Sequence, residues 1–289
     1  MYRTITFTGL FLLGIFSIPS CSSFVSIREV KRLRDNSQSI KATLPALSDH
    51  VIILDDADAV GTRIREIVQA AAKAAISEKG RFWLAIPGGS ILKMLVGSKG
   101  DWTAKTSIAY VNHKCVPMDD IALATHAKAM KLFMHEWEGC HPILLDGTGD
   151  GDKEAASYQL KLKDVPLGSN GLPCFDLALI GVGDDGHIGS LYPNRSEVLE
   201  EEAWVLSVPM KSPPSITLSL PVMTNAKQII VAACGVSDKY PQGKSLGMKR
   251  AIVDQEETIQ SFPAVALRQT ATWIMDKAAA SKLGEDYHK

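Results

Sequence analysis

The sequence has no surplus of either charge: 31 lysines and arginines stand against 32 aspartates and glutamates in 289 residues. A chain without a basic balance does not hold nucleic acid through its overall field, so any anion it recognises has to be met by local donors. Cysteine is sparse and scattered. The five residues Cys21, Cys115, Cys140, Cys174 and Cys234 include no CxxC pair, which excludes a zinc knuckle and a disulfide framework and leaves reduced thiols as the expected state. No set of His, Asp or Glu has the spacing of metal ligands, so neither a metal nor a bound cofactor is expected. Two nucleotide signatures are missing as well. No Gly-Lys-Ser/Thr follows the Gly88-Gly89 pair, so it is not a Walker loop, and no third glycine opens the helix behind it, so it is not a dinucleotide fingerprint. From Ala46 onward there is no internal repeat and no low-complexity linker.

What is present begins with a leader. Arg3 precedes an apolar run over 5–18 that closes on Ser20-Cys21-Ser22-Ser23, so residues 1–23 read as a signal peptide rather than a permanent membrane span. Residues 24–45 carry Arg28, Lys31, Arg32, Arg34 and Lys41 against only Glu29 and Asp35, with scattered serines, and read as a transit peptide. The pair is similar to the bipartite presequences of algae whose plastids came from secondary endosymbiosis. It implies a mature protein in a plastid stroma, the alternative being the ER lumen or secretion. No membrane association of the mature form is expected.

Residues 46–289 are expected to form a single α/β domain, because strand-like and helix-like segments alternate throughout. Strands are predicted over 51–56, 81–86, 106–114 and 174–182, then in AWVLSVPM, SITLSL and QIIVAAC, with a last one in the tail. Helices are predicted after Asp56 or Asp58, from Ile91, over 122–137, near 154–162 and over 238–252. CFDLALIGV is nearly all apolar, which suits a strand covered on both faces. The fold class is therefore Rossmann-like, a mostly parallel sheet flanked by helices on both faces. In such sheets ligands bind beyond the carboxyl ends of the strands. Three polar clusters fall at such ends: 87–90, 112–114 and 181–190.

The first cluster is a candidate phosphate cradle. Gly88 and Gly89 present no side chain, Ser90 offers a hydroxyl, and the helix from Ile91 would turn its positive end towards an anion. A glycine pair between strand and helix is by itself more often only a tight turn. The third cluster, GVGDDGHIGS, is more specific. It presents His187 at a strand end among glycines, where an imidazole serves as a general base near neutral pH.

The segment GVGDDGHIGSLYP resembles the hallmark of the 6-phosphogluconolactonases, G-x-G-x-D-G-H-x-A-S-L-F-P. Gly181, Gly183, Asp185, Gly186, His187, Ser190, Leu191 and Pro193 match it, while Gly189 and Tyr192 depart from it. Gly88-Gly89-Ser90 resembles the family's S-G-G-S phosphate loop, SITLSLP its R-I-T-L segment, CGVSDKY its G-x-x-x-K continuation, and WIMDKAAASKL its closing segment. The resemblance runs from about Val51 to Leu283. It implies hydrolysis of 6-phospho-D-glucono-1,5-lactone to 6-phosphogluconate in the oxidative pentose phosphate pathway, without metal. His187 would be the base, with Asp185 orienting it; Gly88, Gly89, Ser90, Lys114 and Lys239 would hold the phosphate, and Gly183 and Gly186 would form the turn and its oxyanion-stabilising N–H groups. The partner would be a small phosphorylated sugar lactone, the protein a monomer or weak dimer. Two arginines of the family pattern are absent, Lys114 and Ser215 standing in their places. The rival on the same fold is a glucosamine-6-phosphate isomerase/deaminase, whose turn continues towards F-N-E-P rather than SLYP. A non-catalytic sugar-phosphate binding protein is the alternative from another class.

Overall fold

The computed structural model describes residues 50–235 and 243–287. The described residues belong to one compact unit. Its centre is a seven-stranded sheet in the order β1 (Val51–Leu54), β10 (Thr272–Asp276), β9 (Ile229–Ala233), β6 (Leu177–Ile180), β2 (Phe82–Ile86), β3 (Thr106–Tyr110) and β5 (His141–Pro142). Every pairing in it is parallel. Every residue of β3, β6 and β9 is buried, as expected of strands with helices above and below.

Alternation along β2 and β3 divides the core. Phe82, Leu84, Ile86, Ile108 and Tyr110 pack on one face, Ala85, Ala109 and Val111 on the other. The first face receives α1 (Ala57–Lys79), whose Val60, Ile64, Val68, Ala72 and Ala75 form one apolar stripe. Asp56 caps its start by accepting from Ala59 N–H at 2.9 Å, and Gly80 ends it with a φ of 77° that favours glycine. Two further helices border this face, α2 (Ile91–Met94) and α3 (Thr125–Leu132). Residues of α4 (Gly151–Lys161), α5 (Leu220–Thr224), α6 (Ser245–Ile252) and α7 (Lys277–Ala280) belong to the core of the second face.

Four expectations need correction. The segment 106–114 is not one strand. Tyr110 ends β3, Val111 N–H still donates to Ile86 O at 2.8 Å, and the chain then leaves for a second, antiparallel sheet of β4 (Asn112–Lys114), β8 (Ser215–Leu218) and β7 (Val205–Val208). The helix from Ile91 is a single turn of four residues, and that predicted over 122–137 is regular only over Thr125–Leu132. Of the helix predicted over 238–252, Ser245–Ile252 is helical, while 236–242 lie outside the described residues.

At the strand switch the buried Tyr110 N–H finds no strand partner and donates to the Tyr158 hydroxyl on α4 at 2.7 Å. Tyr158→Phe keeps the ring and strands that N–H. It should lower the unfolding free energy by about 1–3 kcal/mol in urea titration; an unchanged midpoint would show that the switch does not depend on this bond.

Candidate active site

Strand order locates the crevice. From β2 the chain moves to β3 on one side, from β6 to β9 on the other, so the order reverses between β2 and β6, and ligands of open parallel sheets bind at such a reversal. The turn after β2 is 87–90 and the turn after β6 is 181–190. Asn112, first residue of β4, spans them: its Oδ1 accepts from Gly88 N–H at 3.4 Å and its Nδ2 donates to Ser190 Oγ at 3.2 Å. Ser190 N–H in turn donates to Thr217 Oγ1 on β8 at 3.2 Å. The three polar clusters of the sequence thus meet at one place.

Within the second turn, His187 Nδ1 lies 2.5 Å from Asp185 Oδ1, and His187 N–H donates to the same oxygen at 3.1 Å. A carboxylate only accepts, so Nδ1 carries the proton and Nε2 of the neutral ring keeps its lone pair. The hydrogen bond with His187 holds the Asp185 carboxyl below its ordinary range. Tyr192 stacks on the imidazole with ring centroids 4.8 Å apart. Gly183 leaves room for this pair, since a Cβ there would collide with the His187 ring. Gly186 takes a φ of 85° against Phe262, where no other residue fits.

The N–H groups of Gly183 and Gly186 do not stand free for an oxyanion. Gly183 donates to His187 O at 2.9 Å and Gly186 to Gly183 O at 3.1 Å, so both serve the shape of the turn. The first turn differs. Gly89 and Ser90 are exposed, and their N–H groups have no protein partner among the described residues. Gly89 has a φ of 87° and Ser90 a right-handed helical one, the change of hand that forms anion-binding concavities in backbone. Because α2 is one turn long, these donors and not a helix dipole are what the cradle offers.

Lys114 shares a face of β4 with Asn112 and donates from Nζ to Pro213 O at 2.9 Å. Lys239 lies outside the described residues. Lys244, just before α6, donates from Nζ to Val182 O at 2.7 Å, which brings an ammonium beside the His187 turn. The sequence reading missed it, although a Gly-Lys pair directly before the helical pattern SLGMKRAI marked the place. Asn112 had been read only as part of the polar cluster 112–114.

The family profile described as "Glucosamine-6-phosphate isomerases/6-phosphogluconolactonase" matches residues 55–274. The chain belongs to this family. Among its relatives, the 6-phosphogluconolactonase of Homo sapiens is 30% identical over 83% of this chain and 95% of that protein, and that of Rattus norvegicus is 28% identical over 80% and 92%. The solved structures of 6-phosphogluconolactonases from Leishmania guyanensis and Trypanosoma brucei share the fold, each with a TM-score of 0.67, at 22% and 20% identity, covering 81% of this chain and 98% of theirs. This member keeps the strand-end histidine turn that matches the family hallmark.

The other face of β4 is its foundation. His113 is 1% exposed; its Nδ1–H donates to Lys114 O at 2.6 Å and its Nε2 accepts from His126 N–H at 3.1 Å. Burial, above all, lowers its pKa from 6.5 to about 4. The folded state therefore binds the proton more weakly than the unfolded chain. Stability from the neutral ring is whole above pH 6.5 and is lost as the pH falls towards 4, on the order of 3 kcal/mol across the window. The urea midpoint should drop over that range. His113→Gln, which keeps an acceptor and cannot charge, should flatten the drop, and an equally steep profile in the variant would clear His113 of it.

Proposed function

We propose that the protein hydrolyses 6-phospho-D-glucono-1,5-lactone to 6-phosphogluconate. The observation that carries this reading is the Asn112 side chain, bonded to both Gly88 N–H and Ser190 Oγ, since it makes the glycine cradle and the histidine turn parts of one site. A phosphate held at one bend leaves the far end of the sugar near the other.

Water is a poor nucleophile at neutral pH. In the proposed reaction His187 Nε2 takes a proton from a water as its oxygen attacks the ring carbonyl, and the protonated imidazole is held by Asp185. Collapse of the tetrahedral intermediate breaks the bond between C1 and the ring oxygen, which leaves with the proton from Nε2. The product is an open-chain acid, and the base is restored. Nothing in these steps asks for a metal. The phosphate does no chemistry; the N–H groups of Gly89 and Ser90 grip it, Lys114 and Lys239 add charge, and Lys244 is a further cation beside the histidine turn.

His187→Ala should cost about 10²–10⁴ in kcat on freshly generated lactone while leaving 6-phosphogluconate binding intact. Near-full activity would remove the imidazole from the reaction. Release of ammonia from glucosamine 6-phosphate by the wild type would favour the rival activity of the family.

The compartment rests on residues 1–50 alone. We propose a plastid stroma, and a fluorescent fusion of that segment should fill the plastid in an alga with a secondary plastid; filling of the ER lumen would reject it.

A further inference from the structure

Lys211 precedes β8 and has no part in the reading above. Its Nζ stands over the Tyr192 ring, 5.1 Å from the centroid, and Tyr192 is the ring that stacks on His187. A single aromatic side chain thus carries an imidazole on one contact and an ammonium on another. Lys211 is also close enough to Lys114 for its charge to add to burial in lowering the Lys114 pKa. Two ammonium groups side by side repel, and a carboxylate would ordinarily be placed between them. None is: among the described residues neither lysine forms an ion pair with an acidic side chain, Lys114 being held only by the carbonyl of Pro213 and Lys211 only by an aromatic face. Of the other described lysines, Lys79, Lys99, Lys153, Lys161, Lys227, Lys249 and Lys277 each meet an aspartate or glutamate.

We propose that Lys211 is a phosphate-binding residue, closing with Lys114 on the substrate's phosphate from its place over the Tyr192 ring. This rests on the proposed lactone hydrolysis for the identity of the anion. Three details support it. Lys114 lies two residues from Asn112 on the same face of β4, and Asn112 touches the cradle, so the pair flanks the phosphate end. Ser215 stands opposite Lys114 in the register, and Lys211 comes from the same strand's approach. An ammonium on an aromatic face keeps its remaining donors for a ligand, because the ring supplies attraction without using its N–H groups in hydrogen bonds.

Lys211→Met keeps the apolar stem on Tyr192 and removes only the charge, whereas Lys211→Arg restores it. Calorimetric titration with 6-phosphogluconate and with gluconate reads binding without turnover. The expected result is a rise of about tenfold or more in Kd for 6-phosphogluconate in Lys211→Met, no change for gluconate, and recovery in Lys211→Arg. The KM for the lactone should rise in step at unchanged kcat. An unchanged Kd for 6-phosphogluconate, or equal weakening for both acids, would overturn the proposal. A wild-type protein that binds 6-phosphogluconate without hydrolysing the lactone would reject the proposed function and leave Lys211 to be judged by the same titration. A wild type that binds neither acid rejects both.

Discussion

Asn112 fastens together two bends that come from distant parts of the chain, and little else in the site has meaning without that bond. An amide is suited to the task because it offers an acceptor and donors on one short, rigid head: the oxygen takes the Gly88 N–H and the nitrogen gives to Ser190 Oγ. Aspartate in its place would accept from the first bend and would bond the second only if the Ser190 hydroxyl turned to donate to it. The amide is itself fixed by β4, whose pairing with β8 sets Asn112 opposite Thr217, and Thr217 Oγ1 receives the Ser190 N–H. The clasp is therefore a closed circuit running from the parallel sheet through the small antiparallel one and back to the histidine turn.

The same short strand explains why that circuit holds its shape. Successive residues of β4 point to opposite sides, so Asn112 and Lys114 face the crevice while His113 is driven into the interior. There a ring with one donor and one acceptor meets one carbonyl and one N–H, from Lys114 and His126, and is satisfied only while it is neutral. Tyr110, the last residue of β3, is hydrogen-bonded through its hydroxyl with His126 Nδ1 at 2.7 Å and so joins α3 to the same place. The polar crevice thus rests on a buried polar layer whose partners are matched one to one, which positions side chains more sharply than apolar packing does.

Much of this was legible in the sequence, and the boundary of legibility has physical causes. The histidine turn could be read because its parts are local: Asp185 reaches His187 across two positions, and Gly183 and Gly186 answer to contacts and dihedral angles inside the same bend. The strand ends were legible for the same reason, as apolar runs breaking into glycine. The change of sheet at Val111 was not. TSIAYVNHK has uninterrupted strand character, and only β8, which arrives about a hundred residues later and donates from Leu218 N–H to Val111 O at 2.8 Å, decides where one sheet stops. The place of Lys244 beside the histidine turn was not legible because it depends on where α6 begins. The roles expected of the Gly183 and Gly186 N–H groups failed for a related reason, since composition shows that donors exist and says nothing of whether the turn has already used them.

The charges of the site follow from that division between local and distant constraints. An arginine binds a phosphate through a planar fork that fixes direction as well as attraction, whereas a lysine is a hydrated point charge on a flexible stem. Where the family pattern has arginines this chain has Lys114 and Ser215, so direction has to come from elsewhere. Under the proposed function the backbone of Gly89 and Ser90 would supply it, because N–H groups in a fixed turn cannot swing away from their ligand. Attraction and aim would then be carried by different groups, lysines for the first and a turn held by Asn112 for the second. A site built this way keeps its aim when a lysine is exchanged, and loses it when the clasp between the two bends is opened.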